Sequence, residues 1–145
     1  MRGRGVRTVK VKQLSVFVEN KAGRVSEVTD VLGSGDVNIR GFSVSDTAEY
    51  GIVRLVVDDP DRGAELLRDA GFTVKESDVI VIRLADVPGA LAAALKAVSD
   101  AGVNIEYVYS LVATYVVINV ADIDRAVSLL EGAPVDLVSL DDIAV

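Results

Sequence analysis

The sequence predicts an α+β fold: two βαββαβ modules in one chain, with antiparallel sheets side by side and helices packed on one face. Three observations predict it. The chain repeats itself. Each copy alternates between strand and helix periodicity in the same order. Half of the 145 residues are hydrophobic, enough for a packed core, yet no apolar run is long enough to span a membrane.

The repeat is read from fixed spacings. Asn20-Lys21-Ala22-Gly23 leads into a helical pattern and then Val37-Asn38-Ile39. Asp86-Val87-Pro88-Gly89 leads into another and then Val103-Asn104-Ile105. Gly23 and Gly89 stand 66 residues apart, and so do Asn38 and Asn104. Asp59-x-x-Arg62 matches Asp122-x-x-Arg125 at a spacing of 63, so the second copy is about three residues shorter between its middle strands.

The elements follow in order. Residues 14–18 alternate and are β-branched, which predicts a strand. Val25, Val28, Val31 and Leu32 recur at helical spacing, and Gly33 and Gly35 end that helix. Residues 37–45 and 50–57 read as strands joined by the polar turn 45–49. Asp59-Pro60 places a capping residue before a proline at the first helical position. Ala64, Leu66, Leu67 and Ala70 stripe this helix, Gly71 closes it, and 72–75 is a short strand. In copy two, 79–84 is a strand, Leu91, Leu95 and Val98 stripe a helix ending near Gly102, and 103–111 and 114–120 pair as strands. Asp122 starts a helix carrying Ala126, Leu129 and Leu130, Gly132 follows it, and 135–138 is the last strand. Residues 140–145 read as packed but irregular, with Asp141-Asp142 an exposed pair. This β-α-β-β-α-β order is the ferredoxin-like arrangement. The expected division is a flexible basic lead-in over 1–11, module one over 12–77 and module two over 78–145. Only Glu76-Ser77-Asp78 separates the modules.

Composition removes several function classes. The chain has no cysteine, histidine or tryptophan, so disulfides, thiolate metal sites and His-dependent catalytic triads are excluded. The net charge is −7 and the pI about 4.5, which disfavours nucleic acid. The one basic cluster is Arg2, Arg4, Arg7, Lys10 and Lys12, read as a solubilising start. Without an apolar signal core after it, the cytoplasm is the default compartment. Asp58-Asp59-x-Asp61 is an acid-rich helix start, not a metal site. Gly33-x-Gly35 lacks the rest of a dinucleotide fingerprint. No cofactor or metal is expected.

The strand-to-helix turns are the chemically informative places. Gly23 and Gly89 allow close approach of a ligand, and the helix start offers N–H groups and a positive dipole end to an anion. Asn38 or Asn104 could add an amide. The bland alternative is structural: Asn20 and Asp86 as N-caps worth about 1 kcal/mol, and the asparagines in a turn conformation that Asn tolerates. Tyr107 and Tyr109 share a strand face and would either line a ligand or pack.

Asp86-x-Pro88-Gly89-x-Leu91, a helix of about a dozen residues and Gly102-Val103-Asn104-Ile105, with the weaker copy Asn20-x-Ala22-Gly23-x-Val25 and Val37-Asn38-Ile39, resemble the ACT domain. That module is named for aspartate kinase, chorismate mutase and a prephenate dehydrogenase. The resemblance runs from about Lys12 to about Asp142. It implies a non-catalytic, allosteric regulator that binds a free amino acid at an interface between modules and passes its signal to a metabolic enzyme or regulator. A homodimer is expected because the outer sheet edges need cover. The implied ligand residues are Asn20, Lys21, Ala22, Gly23 and Asn38 in copy one, and Asp86, Val87, Pro88, Gly89 and Asn104 in copy two. Copy one departs by having Ala22 where the motif has proline. Asp86 would prefer an amino group, whereas Asn20 and Lys21 suit a carboxylate, so one or two pockets are expected, not equivalent where both exist. The alternative is an assembly subunit that docks on an enzyme without binding ligand. A carboxylate enzyme is a third possibility, disfavoured by the missing His and Cys.

Overall fold

The computed structural model describes residues 9–19, 21–46, 50–111, 114–131 and 135–143. The fold is α+β with two ferredoxin-like modules, as the repeat predicts. Contacts group the chain into two compact units: residues 12–77, and residues 78–143 together with 9–11.

In the first unit, β1 (Lys10–Glu19) is followed by α1 (Arg24–Ser34), β2 (Ile39–Asp46), β3 (Tyr50–Val57), α2 (Pro60–Asp69) and the start of β4 (Thr73–Arg83). β3 lies between β1 and β2, antiparallel to both, with Val16 opposite Val53 and Val44 opposite Val53 on its other side. The inward residues of these strands, Leu14, Val16, Val53 and Leu55, close a core with Val28 and Leu32 of α1 and Leu67 of α2. This is the alternation of a half-covered antiparallel strand meeting an amphipathic helix.

The second unit repeats this with α3 (Ala90–Asp100), β5 (Ile105–Ser110), β6 (Tyr115–Val120), α4 (Ile123–Glu131) and β7 (Asp136–Val138). β6 pairs with β5 and with β4, and β7 pairs with β4, all antiparallel. Ile80, Ile82, Val98, Ile118 and Leu130 form its core.

The repeated Asp-x-x-Arg motif proves to be structural. Asp59 and Asp122 each accept the backbone N–H three residues on, at 3.2 Å, capping α2 and α4. The arginines reach back to the end of the preceding helix: Arg62 Nε donates to the Gly35 carbonyl at 2.9 Å and Arg125 Nη2 to that of Ala101 at 3.1 Å. Each thereby satisfies a carbonyl that a helix terminus leaves open.

Four expectations need correction. The first strand starts at Lys10, not Leu14, because Val11 is buried and Val9 packs on the second core; the Val-Lys alternation there was already a strand pattern. The strands expected over 72–75 and 79–84 are one strand, β4. Its middle contains neither glycine nor proline, and contacts hold it extended. Gln13 Nε2 donates to Ser77 Oγ at 3.4 Å, and Glu76 pairs with Lys12 at 3.2 Å and Arg68 at 3.0 Å. Residues 140–143 form a short helix, α5 (Leu140–Ile143), with Ile143 fully buried. Asp142 is half-buried rather than exposed: its carboxylate accepts the Ser139 N–H at 2.9 Å, and its carbonyl accepts the Tyr115 hydroxyl at 3.0 Å. The lead-in before Val9, the tip of the turn at 47–49 and Gly132 lie outside the described residues.

The Arg68 hydrogen bond, and after it that of Lys12, hold the Glu76 carboxyl below the ordinary carboxylate range. A folded value below the unfolded one stabilises at neutral pH and is lost as pH falls through it. Glu76→Gln is expected to flatten the acid limb of the stability–pH curve. At neutral pH its cost should stay below about 1 kcal/mol, because these partners are partly exposed. Urea denaturation between neutral pH and the carboxylate range checks both.

Candidate functional site

The two strand-to-helix turns are built bond for bond alike. In copy one, Lys21 N–H donates to the Glu19 carbonyl at 2.8 Å, Arg24 N–H to that of Lys21 at 3.3 Å, and Glu27 N–H to that of Gly23 at 2.9 Å. In copy two, Val87 N–H donates to the Ala85 carbonyl at 2.9 Å, Ala90 N–H to that of Val87 at 3.3 Å, and Ala93 N–H to that of Gly89 at 3.0 Å. Gly23 and Gly89 are the N-caps, at φ 87° and 86°, with no side-chain cap bond. That left-handed backbone is why both copies carry glycine there. Asp86 is therefore not the cap of α3; it stands three residues earlier and is exposed. Asn20 lies outside the described residues. The turn itself takes up N–H groups otherwise open to an anion, those of Lys21 and Val87 among them.

Each turn borders a small cleft lined by residues of one unit. In copy two, Asp86, Val87, Ala90, Leu91, Ser110 and Thr114 line a cleft of about 270 Å³. Val87 and Leu91 are 59% and 42% exposed, so this is apolar surface with one carboxylate at its rim. In copy one the cleft holds about 260 Å³ between the end of β1, the start of α1 and the turn before β4. Phe17, Tyr50, Phe72, Glu19, Arg24 and Glu27 line it. Arg24 spans the two acids, with Nη1 2.8 Å from Glu27 Oε1 and Nη2 2.9 Å from Glu19 Oε1. The Glu27 bond foremost, and then Glu19, raise the guanidinium above its ordinary value. Both clefts fall below the roughly 300–1,000 Å³ of pockets for drug-sized ligands, a scale that suits a small metabolite.

The structure brings Asp86 and Val87 into a cleft; the other described candidates line neither. Lys21, Ala22, Gly23, Pro88 and Gly89 are exposed on the turns and line neither cleft. Asn38 and Asn104 are exposed and also line neither. Their backbones hold the strand ends. Asn38 N–H donates to Asp58 Oδ1 at 3.0 Å and its carbonyl accepts Asp58 N–H at 3.0 Å. The Asn104 carbonyl accepts Ala121 N–H at 3.3 Å. The left-handed residues after the helices are Asp36 and Gly102, two places earlier, so the asparagines are not the turn formers. Tyr107 and Tyr109 stack on each other with ring centroids 6.3 Å apart and line neither cleft. Among the described residues no group of acids could hold a metal ion, and no helix is long and apolar enough to cross a membrane.

Reading for sameness missed Glu19, Arg24 and Glu27. The signal was the difference between copies: at a spacing of 66 they face Ala85, Ala90 and Ala93.

Residues 9–138 match the family model of the ACT domain pair. Protein BT0572 from Bacteroides thetaiotaomicron, known from its crystal structure, is 40% identical with a TM-score of 0.88, over 93% of this chain and 96% of that one. The ligand-free regulatory subunit of aspartate kinase from Thermus thermophilus has a TM-score of 0.63 at 16% identity, over 83% of this chain and 88% of that one. The corresponding subunit from Thermus flavus has a TM-score of 0.58 at 16% identity, over 83% and 90%. These two show a shared fold. No curated protein matches. With the repeat, the paired glycine turns and the family match in agreement, this chain belongs to the family of ACT domain pairs.

Proposed function

We propose that this protein is a non-catalytic regulator that binds a free amino acid at its strand-to-helix turns. The observation that supports it most directly is the copy-two cleft, which opens on the motif turn itself and joins the Asp86 carboxylate to the apolar Val87 and Leu91. Asp86 takes the α-amino group, and the apolar wall takes the side chain. In copy one, Asn20 and Lys21 are assigned to a carboxylate, with Ala22 and Gly23 letting it approach. Pro88 and Gly89 shape the other turn, and Asn38 and Asn104 are assigned polar contacts to a ligand held by the turn of a module beside their own. The regulatory subunits that share the fold support the regulatory part of the reading. The partners proposed are a metabolic enzyme or regulator and a second copy of the chain.

Calorimetry of the full chain against the twenty amino acids tests this. At least one is expected to bind at millimolar concentration or below. Asp86→Asn should weaken it tenfold or more, about 1.4 kcal/mol. No binding by any of the twenty would overturn the reading. Capture of a metabolic enzyme that no amino acid affects would instead favour an assembly subunit.

A further inference from the structure

We propose that the copy-one cleft binds an alkyl chain ending in an ammonium or guanidinium group, the terminus of a basic amino acid or of a diamine. It deepens the reading above by naming the ligand chemistry of one cleft, and it rests on that reading only in taking the ligand to be a free small molecule.

Three observations converge on a cation. The first is charge. Glu19, Arg24 and Glu27 together carry one net negative charge. Arg24 already uses both terminal nitrogens on the two acids, through a single oxygen of each. The Glu19 and Glu27 side chains are 60% and 49% exposed, and the second oxygen of each keeps acceptor capacity. An incoming carboxylate would meet two like charges and a guanidinium already engaged. An ammonium or guanidinium would meet two acceptors.

The second is the wall. The chain has three Phe and four Tyr, and Phe17, Tyr50 and Phe72 all line this one cleft. Phe17 and Tyr50 are 37% and 56% exposed. Aromatic faces attract organic cations through the ring quadrupole and cover the methylenes behind the charge. Acids beside aromatic rings complement a cation on a greasy stem.

The third is the comparison between copies. The second turn has the same backbone bonds and the same left-handed N-cap, yet carries Ala85, Ala90 and Ala93 in place of Glu19, Arg24 and Glu27, and Arg83 in place of Phe17. The turn therefore does not require the three charged groups or the ring, and their gathering around one cleft is left for a ligand to explain.

The test uses the full chain, with ring-proton shifts of Phe17 and Tyr50 and calorimetry as readouts. The probes are L-lysine, L-arginine, cadaverine and the uncharged L-norleucine. Lysine, arginine or cadaverine is expected to bind at least tenfold more tightly than norleucine and to move the ring signals. Glu27→Ala and Glu19→Ala install what copy two already folds with, and each should weaken the cation tenfold or more with an unchanged circular dichroism spectrum. Lysine without cadaverine identifies a basic amino acid as the source; cadaverine alone identifies a diamine, keeping this inference while the amino-acid reading fails. A neutral amino acid that binds through Asp86 while no cation binds leaves that reading standing and overturns this one. Cation binding that is indifferent to both glutamate substitutions also overturns it.

Discussion

Replacing Leu67 by alanine is expected to cost about 2–5 kcal/mol. Leu67 is completely buried between α2 and the sheet of the first unit, in contact with the cluster that holds Leu14, Leu32 and Leu55. Truncation removes the transfer energy of three carbons and leaves a void that a close-packed core cannot fully collapse. Leu130 is its counterpart in α4, 2% exposed in the second core, and Leu130→Ala should cost a similar amount. Each core serves only about 65 residues, near the lower size limit for an independent fold. With total stability of about 5–15 kcal/mol, either loss is a large fraction of the whole. Urea denaturation followed by circular dichroism measures it. A cost below about 1 kcal/mol at both positions would mean that the two clusters are not the cores they are taken for.

Gly89→Val is expected to cost about 1–3 kcal/mol, chiefly through the backbone. Gly89 sits at φ 86°, and a Cβ added there meets no atom within 4 Å. A Cβ is therefore not crowded, and strain in the left-handed region is the main cost. That separation makes an ordered series informative. Asn tolerates this backbone and should be the mildest substitution, Ala intermediate, and the β-branched Val the most severe. Gly23, at φ 87° with equally open surroundings, should give the same order. Thermal denaturation of the three variants at either position checks the ranking. Equal stability across the series would show that the turn relaxes to another conformation.

Most of the fold was legible because its determinants are local and come twice. The period-two runs, the helical stripes and Asp59-Pro60 each name their element without knowledge of what packs on it. What escaped depends on contacts distant in sequence. Glu76-Ser77-Asp78 looks like a linker by polarity, and only Gln13, Lys12 and Arg68 across the unit show why strand β4 runs through it. Asp142 looks like a solvated tail until Ser139 and Tyr115 bond to it. The candidate site divides in the same way. Gly23 and Gly89 were visible as motif glycines, and the structure adds that they are left-handed N-caps, which demotes Asp86 from a capping role. The acid–arginine–acid group was invisible to a search for identity between copies, since it exists in only one of them.

The first strand has a consequence for how such a chain can be recombined. Val9 packs into the second core although it stands before the first copy begins, and residues 9–11 group with the second unit. The stretch of sequence that repeats and the stretch that folds together are therefore different segments. A crossover at the repeat boundary, exchanging one copy for a foreign module, would separate the second core from a residue that it borrows from the far end of the chain. Inheritance of the second module intact requires the opening residues to travel with it, so the pair passes on as a single cassette even though its sequence reads as two.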